Sequence, residues 1–383
     1  MNKSYVPAKR QSNLELLRIV GMLLIIAHHY VVNTGIMDNL SLAEHPSRVI
    51  FLNLFGMWGK TGINIFILIS GYFMCQSNLT IRRYCKIAFE WIFYHYVIYF
   101  IMLAAGYETV TLKRVYQLVF APFIYANGSG CFTSSFLMFY LFIPFLNRFI
   151  CSVNRMEYRR FVLLLLFVFT GLSTFFTNTY IFGEVFWFCA VYFIGGYLRL
   201  SPPTWSQSLR QSAKLLVLSW LVCYASVFAL AFLALHFGIG GGLTYFVLDA
   251  NKLGAVLVSV FIFCTFQNLD IPYSKSVNLI AQTTFGILMI HANSDAWRTF
   301  MWRDLLHVDT SYDLLLPYLA LRSILIVACV FIVCSLLDLI RIQFIEKPVF
   351  RHFDWFEGKI LAVWKVIKKL MYVVYHAALK ISR

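Results

Sequence analysis

The sequence predicts an all-α polytopic membrane protein with about ten transmembrane helices and both termini cytoplasmic. Three observations predict it. Hydrophobic residues fill 60% of the 383 positions and charged residues only 13%. Mean hydropathy is +0.74, whereas a soluble domain is about half apolar and about a quarter charged. Apolar runs also recur along the chain between short polar segments, at 14–33, 61–75, 87–105, 132–150, 161–177, 181–200, 213–237, 252–267, 278–293 and 317–342. Several fall short of the roughly 20 residues that a lone helix needs to cross a bilayer, as expected of spans packed into a bundle with thin or water-accessible regions.

The first run, NLELLRIVGMLLIIAHHYVV, follows basic residues as a signal peptide would. No small-residue cleavage site follows, and His28, His29 and Asn33 interrupt its end, so it reads as an uncleaved first helix. Loops on the outer side are expected at 34–60 and 106–131. The second of these ends in ANGSGCFTSS, which suits either a lid at an acceptor entrance or a plain connector. The second run contains Ser70-Gly71 without a G-x-S-x-G context. Such a small pair lets helices approach closely. No repeat is visible. The nine cysteines form no C-x-x-C pair, and neither disulfides nor a metal site is expected.

Orientation follows from Lys and Arg placement. With the N-terminus inside, the outer segments hold only Arg48, Lys60, Lys113, Arg114, Lys252, Arg298, Arg303 and Arg322 of the 32 basic residues. The net charge of +15 is then mostly topology plus attraction to anionic lipid heads. No separate exposed domain gathers these charges, so nucleic acid is not an expected partner. The chain divides into a transmembrane domain over 1–348 and a cytoplasmic tail over 349–383. In that tail Ile360, Val363, Trp364, Ile367, Met371 and Val374 oppose Lys365, Lys368, Lys369, Tyr372 and His376, the pattern of a basic amphipathic surface helix.

Ionisable groups inside apolar runs are costly and tend to mark function. Arg18 and His29 are eleven positions apart, about three turns on one helical face and roughly 16 Å along the axis. An imidazole titrates near neutral pH and can remove a proton from a hydroxyl; the alternative is a polar residue bonded to a neighbouring helix. Glu15, one turn before Arg18, would neutralise it. In HANSDAWR, His291, Asp295 and Arg298 stand at i, i+4 and i+7, expected on one helix face as a substrate-binding set or as a salt-bridge ladder. Arg82, Arg83 and Lys86 form a basic loop suited to phosphates, as does any loop obeying the positive-inside rule. In FIEKPVF, Pro348 is expected to end or bend the helix at Lys347, leaving Glu346 to cap it or to pair with a basic group.

These features, in order, resemble the bacterial acyltransferase 3 family of integral-membrane O-acyltransferases. The resemblance runs from Arg18 to Pro348 through R-x10-H (Arg18 to His29), INIFILISGY, a basic loop, FLMFYLFIPFLN, FWFCAVYFIGGYLRL, FGILMIHAN and IEKP. It implies a multi-pass protein of the bacterial cytoplasmic (inner) membrane with no permanently bound cofactor. The donor substrate would be a cytoplasmic acyl-coenzyme A, acetyl-CoA first. The acceptor would be a hydroxyl of a cell-surface glycan or its lipid-linked precursor. By that resemblance Arg18 and His29 are the functional pair of the first helix, and Arg18, Arg83 and Lys86 meet the donor. The family's R-x-x-R stands here as Arg83-Tyr84-Cys85-Lys86, and lysine lacks the arginine fork. Many relatives carry an extra soluble hydrolase-like domain, so transfer here is expected to finish within the membrane domain or on a separate partner. A transporter of lipid-linked sugars, and a sensor or scaffold, are the rival classes. The partners expected are membrane lipids and the glycan acceptor, with oligomeric state unread.

Overall fold

A computed structural model describes residues 11–112, 114–116, 132–176, 183–238, 242–353, 358–359 and 362–363. Among these residues every regular element is a helix. Most of the expected tail helix, and most of the loop at 106–131, lie outside the described residues.

Among the described residues, seven helical stretches are long and apolar enough to cross a membrane: Ser12–Val32, Pro46–Met74, Ile81–Ala104, Phe132–Ser152, Arg155–Phe175, Leu209–Phe237 and Leu316–Arg351. The first is α1 (Ser12–Val32). The second differs from expectation. Residues 46–56, read from sequence as part of a loop, form α2 (Pro46–Gly56), with Pro46 in its first turn where the missing N–H costs nothing. Met57 and Trp58 separate it from α3 (Gly59–Met74).

Next come α4 (Ile81–Ala104), α5 (Phe132–Ser152), α6 (Arg155–Leu165), a π turn, α7 (Leu172–Phe175) and α8 (Glu184–Leu200). A capping box starts α6: Asn154 accepts from the Met156 and Glu157 N–H groups while Glu157 accepts from the Asn154 N–H. Then follow α9 (Leu209–Phe237) and α10 (Leu253–Gln267). The expected span at 278–293 is broken into α11 (Lys275–Ala281) and α12 (Thr284–His291), followed by a third short helix, α13 (Asp295–Thr299). At the first break the Thr283 hydroxyl bonds the Ile280 carbonyl and lies 2.8 Å from Ser335 Oγ. Such hydroxyls compete with the helical ladder.

The last long helix, α14 (Leu316–Arg341), passes through a π turn at Ile342–Glu346 into α15 (Lys347–Arg351). Of the two outcomes expected of Pro348, the helix does not end there: Lys347 keeps helical angles and the helix continues to Arg351. A proline lacks the donor for the carbonyl four residues back and its ring crowds that carbonyl. Here that carbonyl is Phe344, inside the π turn, where the ladder has already shifted register.

α3 is packed between α1, α8 and α10, while α1 also meets α2, α11, α12 and α14. The α3–α8 crossing is close because a side chain on Gly71 would strike the Tyr192 backbone and one on Gly195 would strike the Leu68 carbonyl. Ser70-Gly71 is therefore a packing pair. A second core joins Met22, Ile26 and Tyr30 of α1 to Ile287 and Ile290 of α12 and to Val327 and Val330 of α14. The start of α1 is tied down by Ser12 Oγ, which accepts from the Ser274 N–H (2.8 Å) and the Asn278 amide (3.2 Å). Asn13 donates to the Gln267 and Leu269 carbonyls. These bonds fix the first helix, and with it Arg18 and His29, against α10–α12.

Candidate active site

α1 is continuous from Ser12 to Val32, so Arg18 and His29 do stand about 16 Å apart along one helix. The fold places them in two separate clusters.

His29 is half-buried, and its Nδ1 lies 3.0 Å from His291 Nε2. The ring centroids are 5.1 Å apart and the planes tilted by 47°. His291 is fully enclosed (0% exposed), with its Nδ1 2.6 Å from the Ile287 carbonyl oxygen. Lys60 and Arg298 supply positive potential at His29. His28 turns away and its Nδ1 lies 2.8 Å from the Gly56 carbonyl.

The HANSDAWR set is not one helix face. α12 stops at His291, and Ser294 opens α13 by accepting from the Trp297 N–H at 3.3 Å. Serine at that position satisfies donors that a continuing helix would have paired. Asn293 turns back to the Met289 carbonyl (2.8 Å). Asp295 and Arg298 thus lie on α13 and pair with each other near the surface. The structure brings His291 to His29 and leaves Asp295 with Arg298. The partner of His29 is 262 positions away in sequence, and no local pattern signals the pairing.

The second cluster lies at the end of the bundle where α1 and α4 begin. Arg18 is loosely paired with buried Glu15 at 3.8 Å. Tyr140 of α5 lies beside Ser70 and within the fields of Arg18 and Arg83. Arg199 of α8 donates to the Tyr72 hydroxyl at 2.9 Å and covers its ring at 4.8 Å; Gln267 donates to the same hydroxyl at 3.1 Å. Tyr140, Tyr72, Gln267 and Arg199 stand out by no motif of their own in the sequence.

Lys86 has a different environment. Its ammonium is 2.5 Å from Glu346 Oε1, at the edge of a buried ion cluster. Arg341, only 3% exposed, donates from Nε to Asp338 Oδ1 (2.7 Å) and from Nη1 to Glu346 Oε2 (2.7 Å), with Nη2 3.0 Å from Glu90 Oε1. The Tyr94 hydroxyl also donates to Asp338 Oδ1 at 2.8 Å. Glu346 is the member that the sequence offered as a pairing group. Glu90 and Asp338 were detectable as lone carboxylates in apolar runs.

The family model for the acyltransferase domain matches residues 11–339. The chain belongs to the acyltransferase 3 family. Comparison with curated proteins and with solved structures gives no match. In this membrane acyltransferase the matched stretch includes Arg18, His29, His291 and Asp338, while Arg341 and Glu346 fall just past its end. The ion cluster therefore ties the matched domain to the segment that follows it.

Proposed function

We propose that this membrane acyltransferase moves an acyl group, acetyl first, from cytoplasmic acyl-coenzyme A to a hydroxyl of a cell-surface glycan or its lipid-linked precursor, in a bacterial inner membrane. The observation that carries the reading is His29: a half-buried imidazole in the last turn of the first span, held by a second histidine, inside the acyltransferase domain. An imidazole so placed suits general-base work on a hydroxyl. The acceptor O–H gives its proton to His29 and its oxygen attacks the thioester carbonyl. The C–S bond then breaks, and the departing thiolate takes the proton back, leaving ester and free coenzyme A.

Donor phosphates would meet Arg18 and Arg83, whose planar forks suit phosphate oxygens. Lys86 adds positive field, but its ammonium is held by Glu346. Arg298, with its partner Asp295, would meet a polar or anionic acceptor on the opposite side. The test uses the full chain in lipid nanodiscs with radiolabelled acetyl-CoA and a panel of glycan acceptors. The expected result is release of free coenzyme A with label on one acceptor, lost in His29→Ala. No turnover on any acceptor, with counter-flow of lipid-linked sugar in proteoliposomes, would replace the enzyme reading with a transporter.

A further inference from the structure

His291 is enclosed, and both of its ring nitrogens have partners. Nδ1 faces the Ile287 carbonyl oxygen at 2.6 Å, and Nε2 faces His29 Nδ1 at 3.0 Å. A carbonyl oxygen only accepts, so the proton of that first bond belongs to His291 Nδ1. A neutral imidazole carries one N–H, and the other nitrogen is then an acceptor. His291 Nε2 is therefore a lone pair aimed at His29 Nδ1, and the 3.0 Å contact is a hydrogen bond only if His29 donates it.

The alternative is a doubly protonated His291. That would enclose an imidazolium with no carboxylate beside it among the described residues, since Asp295 is surface-exposed and bound to Arg298. An enclosed charge without a counter-ion is expensive.

We infer that His291 is the positioning residue of this acyl transfer: anchored by the Ile287 carbonyl, it holds His29 as the Nδ1–H tautomer and leaves His29 Nε2 as the base. The inference rests on the acyl-transfer reading for its consequence, though the tautomer itself does not. His29 Nε2 has no hydrogen-bond partner among the described residues, and His29 as a residue is half-buried where His291 is sealed, so Nε2 is the nitrogen left to meet a hydroxyl. When it takes the acceptor's proton, the Nδ1–H bond to His291 persists and supports the imidazolium until the thiolate reclaims that proton. His291 itself neither gains nor loses a proton. A carbonyl and an imidazole thus do the work that a carboxylate does behind other catalytic histidines, without burying a negative charge in the membrane.

The test has two parts. In the full chain labelled with 15N-histidine in lipid bilayers, solid-state NMR at neutral pH should find Nδ1 protonated and Nε2 bare in both His29 and His291, assigned by the signals lost in His29→Gln and His291→Gln. Protonation of His29 at Nε2 would overturn the inference whether or not the protein turns over. In the transfer assay, His291→Leu removes the acceptor, and kcat should fall about 10²-fold or more, within the range of a general-base contribution, with donor KM within about two-fold. His291→Gln places an amide oxygen near the former Nε2 and should recover about ten-fold of that loss. Equal loss in the two variants, or a change confined to KM, would overturn the positioning role. A wild-type protein with the expected tautomers and no transfer to any acceptor would defeat the proposed function and leave the pairing standing.

Discussion

Arg341 Nη1 lies 2.7 Å from Glu346 Oε2, five residues further along the same helix. In a regular α-helix a residue five positions on faces about 140° away. The π turn at Ile342–Glu346 shifts the ladder to i→i+5 and returns Glu346 to the face of Arg341. The turn that accommodates Pro348 therefore also closes the buried ion cluster, which is a physical reason for E-K-P to stand together at this point.

Arg341→Met should destabilise the protein strongly. Glu90, Asp338 and Glu346 would remain buried with only Lys86, half-exposed, to offset them. Breaking a buried ion pair from one side costs about 3–5 kcal/mol. Unfolding of the purified protein in bicelles, followed by circular dichroism, should show the loss. The triple change Arg341→Met, Glu90→Gln and Glu346→Gln should recover a large part of it. Unchanged stability in Arg341→Met would mean that the cluster is not closed as described.

Gly286 faces that cluster from α12, where an added Cβ would overlap the Asp338 carboxyl group. Asp338 is held by both Arg341 and Tyr94 and has little room to yield. Gly286→Ala should therefore cost about 1–3 kcal/mol, as overpacking does. Because α12 ends at His291, transfer should fall as well. Thermal unfolding and the transfer assay on the same preparation check both halves, and wild-type values in both would sink the argument.

Where the sequence was informative, the cue was local. Arg18 and His29 were legible because one uninterrupted apolar run carries both, and α1 is continuous. HANSDAWR failed because helical spacing was projected across Ser294, a side chain that starts helices as readily as it sits in them. Residues 46–56 failed because an eleven-residue apolar segment with a leading proline looks like loop until it is packed. The pairing of His29 with His291, and of Arg341 with Glu90, depends on how α1, α4, α12 and α14 assemble. No spacing within one run encodes it.

His28 and His29 are neighbours with different partners, which makes them each other's control. His29→Ala should lower transfer by about 10²–10⁴-fold, the range of general-base contributions, with the protein still inserted. His28→Ala loses a bond to the Gly56 carbonyl, worth about 1 kcal/mol of stability, and should keep most of the activity. Initial rates with saturating donor and acceptor, normalised to inserted protein, compare them. Equal losses would take the base role away from His29.

Lys86 and Arg18 separate the donor-binding reading from plain topology. Arg18 has a loose 3.8 Å contact with Glu15 and so can turn its fork to a phosphate. The Lys86 ammonium is 2.5 Å from Glu346 with its side chain 52% exposed, and a pair so placed contributes little to stability. Arg18→Ala should raise the donor KM about ten-fold or more, since a hydrogen bond to a charged group is worth about 1.5–3 kcal/mol. Lys86→Ala should leave donor KM within about two-fold and lower stability slightly, because Glu346 keeps Arg341. Steady-state kinetics at varied acetyl-CoA distinguish the two. If Lys86→Ala raised donor KM as much as Arg18→Ala, the lysine would be reaching the donor when it is bound, and its pairing with Glu346 would be a resting arrangement that the donor displaces.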